Sequence, residues 1–90
     1  MAAPVVRASP LTAFQARARR CFEGRQPQLC EKALIEAEVL QQQASARSAY
    51  PCQTLLLGVQ ADLVMKQLRA GRGAEAIADL QAATRGCAGL

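Results

Sequence analysis

The stretch from Cys52 to Cys87, CQTLLLGVQADLVMKQLRAGRGAEAIADLQAATRGC, constrains the fold of this chain more than any other. Its apolar residues recur at helical spacing on both sides of Gly71-Arg72-Gly73, which predicts two helices folded back on each other about that turn. In the first helix Cys52, Leu56, Val59 and Leu63 mark one face, while Leu57, Ala61, Val64, Met65 and Leu68 fill an adjoining one. A helix apolar over so much of its circumference is expected in the middle of a bundle, not on its rim. The second helix is narrower, with Ile77, Leu80, Ala83, Thr84 and Cys87 in a single stripe.

The rest of the chain repeats this pattern. Ser9-Pro10 predicts a helix start, with serine as N-cap and proline in the first turn, where its missing N–H is harmless. That helix is expected over about residues 10–23, with Leu11, Phe14, Ala18, Cys21 and Phe22 on one face and Gly24 as a left-handed stop. Pro27 opens the next, whose apolar positions are Cys30, Ala33, Leu34, Ala37 and Leu40 and whose far end, QQQASARS, is expected to be exposed or frayed. Pro51 places the following break near residues 47–51, so the third helix is expected over about 52–70. Gly58, in its interior, implies a close neighbouring helix, in preference to a ligand contact, that compensates the roughly 1 kcal/mol a glycine costs there.

The expectation is an all-α fold of four helices arranged as two antiparallel helical hairpins, either tetratricopeptide-like or an irregular four-helix bundle. Ninety residues leave room for one core, so residues 9–90 are expected to form a single helical domain behind a flexible tail over residues 1–8. With eleven leucines, nineteen alanines and only Phe14, Phe22 and Tyr50 aromatic, that core is expected to be tight, without a roomy cavity.

Charge is unevenly placed. Residues 1–25 carry Arg7, Arg17, Arg19, Arg20 and Arg25 against Glu23 alone, and the remainder is balanced within a net charge of +4. Arg17, Arg19 and Arg20 are therefore the candidate partner-binding residues, reading an acidic protein surface or, alternatively, nucleic acid. Arginine and alanine enrichment also suggests a GC-rich, bacterial coding sequence. No apolar run approaches the ~20 residues of a membrane span, and the N-terminus lacks the apolar segment of a secretory signal. It is basic, contains serine and is poor in acids, so a transit segment remains an open reading there.

Reactive constellations are scarce. Histidine, the commonest general base and metal ligand, is absent, and the four cysteines include no C-x₂-C pair. The acids Glu31, Glu36, Glu38, Asp62, Glu75 and Asp79 are expected on polar helix faces. The Gly71-Arg72-Gly73 turn has neither the length nor the lysine of a phosphate loop. No catalytic residue, cofactor or metal site is predicted.

Four reduced thiols acting as small core hydrophobes in a cytoplasmic protein are the leading expectation. The alternative is a Cys21–Cys30 disulfide, because those residues lie symmetrically about the turn at 24–27. A Cys52–Cys87 bridge fits worse, at a height mismatch of roughly 7 Å if both helices run up to a turn at residue 72.

A short internal echo links the two hairpins. Gly24-Arg25 followed by Cys30, Leu34 and Ala37 parallels Gly71-Arg72 followed by Ala76, Leu80 and Ala83, with one residue inserted in the first copy. At GRGAEAIADLQAA the chain resembles the second half of a tetratricopeptide repeat. Ala76 and Leu80 stand where that family carries a small residue and then a large apolar one. Ala83 matches its further small residue, and Leu63 its first-helix leucine. Gln60, Val64 and Gln67 replace the family's tryptophan, glycine and tyrosine, and Ala88 its closing proline, so the match covers residues 63–83. The resemblance implies a non-catalytic scaffold for protein–protein interaction, an adaptor or assembly factor. Two hairpins are fewer than a solenoid needs, which points to a permanent protein partner or a homo-oligomer.

Overall fold

The computed structural model describes residues 9–24 and 26–90, so the predicted tail over residues 1–8 lies outside the described residues, as does Arg25. Four helices follow in order: α1 Pro10–Glu23, α2 Pro27–Ala46, α3 Tyr50–Gln67 and α4 Ala74–Gly86. No strand occurs among the described residues. Consecutive helices pack against each other, the α2–α3 interface being the most extensive, and α1 closes the ring by meeting α4.

Local chemistry sets the helix ends. The Ser9 hydroxyl accepts from the Thr12 N–H at 3.1 Å, and Pro10 occupies the first turn of α1. Gly24 ends α1 in an extended conformation (φ −111°, ψ −169°), not the left-handed one expected. Glycine is needed there for closeness: a Cβ would lie 2.8 Å from the Arg20 carbonyl oxygen that the Gly24 N–H itself contacts. α2 does not fray; Ala44 is buried, and the Ala49 N–H returns to the Ala44 carbonyl at 2.8 Å around Ser48 in the left-handed region (φ 55°).

The end of α3 also differs from expectation. It stops at Gln67, and the left-handed position is taken by Arg69 (φ 61°), with Ala70 N–H donating to the Met65 carbonyl at 2.9 Å. That pattern satisfies the last carbonyls of the helix without Gly71. Residues 68–73 thus form a true loop, and Gly73 (φ 51°) leads into α4.

Inside the ring, Phe14, Leu56, Val59 and Leu63 are fully buried, with Leu40 and Leu80 beside them. Ala18, Ala33, Ala37 and Ala83 are also fully buried. Small side chains at such contacts let helix axes approach at the near end of the usual 8–10 Å range, which is how an aromatic-poor chain fills its core.

Two disulfides staple this core: Cys21–Cys30 joins α1 to α2, and Cys52–Cys87 joins the start of α3 to the end of α4. The expectation of four reduced thiols is therefore overturned. The Cys52–Cys87 height mismatch disappears because the loop contributes no helical rise. Cys52 lies fifteen residues before Gln67, and Cys87 thirteen after Ala74. The difference of two residues is about 3 Å of rise, and the Cα atoms stand 4.9 Å apart. The cytoplasmic placement is overturned with it. Paired cystines of this kind belong to an oxidising, extracytoplasmic or secreted setting, since cytosolic thiols are kept reduced. No helix among the described residues is long and apolar enough to cross a membrane.

Candidate functional site

The predicted arginine strip lies on the outer side of α1, but α2 and α1 itself supply acids to it. Arg17 donates to Glu36 of α2 at 2.6 Å, and Arg19 donates to Glu23 one turn along α1 at 3.0 Å. Arg20 is exposed and forms no ion pair among the described residues. The strip is thus a partly neutralised face. The sequence could not show this, because Glu36 reaches Arg17 only once α2 has packed on α1.

A second charged cluster, outside the sequence-based expectations, lies at the α3–α4 loop. Asp62, expected on a polar face, is the only buried charged side chain among the described residues, at 4% exposure. Arg72 in the α3–α4 loop donates to Asp62 at 3.1 Å and to Glu75 at 2.7 Å, and stands 3.7 Å from Asp79. One Asp62 oxygen, Oδ2, is left without a partner. Burial raises the Asp62 pKa above its ordinary value, and the neighbouring Asp79 carboxyl raises it further; Arg72 pulls it down by less. The readable signal is positional, since Asp62 sits one turn from Val59 and next to Leu63, both core residues.

An open groove of about 780 Å³ lies between the α1–α2 turn and the α3–α4 loop, flanked by Gln26, Glu31, Lys66 and Arg69. Its walls carry both signs of charge and three glycines, Gly24, Gly71 and Gly73. The expected absence of a roomy cavity is not met at this end of the bundle.

The largest departure concerns α3. Its core face is buried as the periodicity predicts, but the second apolar face points outward. Leu57 is 48% exposed, Val64 40%, Met65 39% and Leu68 69%, and Ala61 lies exposed between them. At 3.6 residues per turn these positions, with Tyr50, Thr54 and Gly58, fall within an arc of about 120°, opposite Leu56, Val59 and Leu63. The expectation that apolarity on both faces places this helix in the middle of the bundle is therefore corrected: α1, α2 and α4 cover one side only. Gly58 is corrected too, since a Cβ there would meet nothing within 4 Å. No neighbouring helix among the described residues compensates it.

This face carries no charge from Tyr50 to Leu68, although charged residues make up 20% of the chain. The two charged residues of that segment, Asp62 and Lys66, lie off the strip, the first buried and the second half-buried. On α2, Ile35 and Val39 are also exposed, but Glu36 and Glu38 interrupt them. A continuous uncharged apolar strip on an exposed helix is the feature of this molecule that departs furthest from an ordinary solvated surface.

Comparison with protein-family models, with curated proteins and with solved structures finds no match to this chain. What stands is a small all-helical domain of four helices, and its surface has to be read from its own chemistry.

Proposed function

We propose that this chain is a small, disulfide-stapled protein–protein interaction module, without catalytic activity of its own, that works in an oxidising compartment. The observation that supports this reading is the outward face of α3. Exposed leucine, valine and methionine in one charge-free strip favour burial against another apolar surface, and helix-in-groove or helix-on-helix recognition uses anchors at this spacing. The tetratricopeptide-type pattern of residues 63–83 agrees with a scaffold role. The arginines of α1 fit it less well as principal contacts, because Arg17 and Arg19 already serve Glu36 and Glu23. The same pairing leaves the nucleic-acid alternative with little free cationic surface in this strip.

The test is a photocrosslinking amino acid in place of Leu57, expressed in the native cell, with a second chain carrying it in place of the exposed Gln81 on α4. A protein adduct from position 57 and none from position 81 is expected. Absence of any protein adduct from position 57 removes the reading.

A further inference from the structure

We propose that the outward face of α3 is a homodimer interface, across which a second copy of this chain docks antiparallel about a two-fold axis beside Ala61. This inference rests on the interaction-module reading and names that module's partner.

Charge is the first argument for a second copy. The chain carries a net charge of +4, so two copies repel wherever like charges meet. The α3 strip is a long face on which two identical chains meet without bringing any charge together. An acidic partner would instead be recognised by cations within the contact, and the strip has none.

Register is the second argument. A two-fold beside Ala61 sets Leu57 against Met65 of the second copy, Gly58 against its Val64, and Thr54 against its Leu68. Each large side chain then faces a small or flexible one. Gly58 acquires the close neighbour that it lacks among the described residues of its own chain, where a Cβ would meet nothing within 4 Å. With Ala61 and Gly58 near the axis, the two helices can approach closely. The antiparallel sense also sets each α3 N-terminus beside the opposite C-terminus, the favourable arrangement of helix dipoles.

Area sets the strength of the contact. In this register the strip overlaps from Thr54 to Leu68, about 21 Å long and roughly 10 Å wide, a projected footprint on the order of 200 Å² per chain. Counted on both copies, the contact falls below the roughly 1,200 Å² at which stable specific interfaces begin, in the range of a weak, transient one. The dimer is accordingly reversible and concentration-dependent, not obligate.

Sedimentation of the purified full chain, disulfides intact, from micromolar to millimolar concentration tests this directly. The native chain should pass from monomer to dimer over that range. Ala61→Arg, which places two like charges at the two-fold, should raise the dimer dissociation constant by at least ~100-fold while leaving the helical circular dichroism unchanged. Should that variant fail to fold, Leu57→Glu and Met65→Lys supply a second reading: each alone monomeric, the two together forming a heterodimer through the facing pair. A native chain that stays monomeric at millimolar concentration overturns the inference, as does dimerisation that survives a folded Ala61→Arg, or a mixture that stays monomeric. If the purified chain is monomeric while the Leu57 crosslinker captures a different protein, the dimer falls and the module reading stands. If no protein is captured, the module reading falls as well.

Discussion

Arg72 Nη2 stands 3.1 Å from Asp62 Oδ1, so an exposed loop guanidinium is the charge partner of the only carboxylate buried among the described residues. The arrangement ties the α3–α4 loop to the flank of α3, and Glu75 and Asp79 in the first two turns of α4 share the same guanidinium. Asp62 nonetheless has an unpartnered oxygen and a raised pKa, caused first by burial and then by the neighbouring Asp79 carboxyl.

A pH dependence with a definite sign results. Because the folded-state pKa of Asp62 lies above the unfolded one, the fold favours its protonated form. That contribution is fully present below the ordinary carboxylate range and is lost as pH rises through the raised value. Asp62→Asn, which keeps a hydrogen-bond acceptor for Arg72 and removes the buried charge, should match the native chain in acid. It should become the more stable of the two as pH climbs towards neutrality. Urea denaturation across that range measures the difference, and a constant gap at all pH values would contradict it.

The disulfides should rank by the loops they close. Cys21–Cys30 spans nine residues and Cys52–Cys87 spans thirty-five. Loop-closure entropy assigns the short one about 2.6 kcal/mol and the long one about 3.8 kcal/mol. Replacing Cys52 and Cys87 with alanine should therefore lower the urea midpoint more than replacing Cys21 and Cys30. Reducing both should unfold much of the population at 37 °C, since a domain of this size has only about 5–10 kcal/mol to lose. Equal midpoints for the two double variants would show that loop length does not govern their contribution.

The two faces of α3 should respond oppositely to truncation. Leu63→Ala removes a fully buried side chain and should cost about 2–5 kcal/mol of unfolding free energy. Leu57→Ala, six residues earlier on the outward face, should stay within about 0.5 kcal/mol when measured on dilute, monomeric protein. A large loss at Leu57 in the monomer would mean that this face is already covered within the chain.

Charge reversal on α1 should separate its arginines. Arg17→Glu sets two carboxylates against each other at Glu36 and should cost up to about 1 kcal/mol, with recovery in the Arg17→Glu, Glu36→Arg double variant. Arg20→Glu, at an exposed position, should leave the melting temperature unchanged. If both single variants behave alike, the Arg17–Glu36 pair contributes nothing to the fold.

The sequence by itself determined the four helices and most of the core. Ser9-Pro10 and Pro27 mark helix starts through local backbone chemistry, and Leu56, Val59, Leu63 and Leu80 mark inward faces through periodicity. Such signals are read within a few residues of chain and need no knowledge of neighbours. Tertiary structure alone decided which side of α3 is covered, because both of its faces are apolar and periodicity cannot rank them. It also decided the Cys52–Cys87 bridge. That pairing depends on where α3 stops, and a left-handed Arg69, not the nearby glycine, sets the stop. The fates of Arg17 and Asp62 were hidden for the same reason. Each depends on a partner or a burial that exists only when separate helices pack, and the free energy of a charge is set by what surrounds it in space, not by its neighbours in sequence.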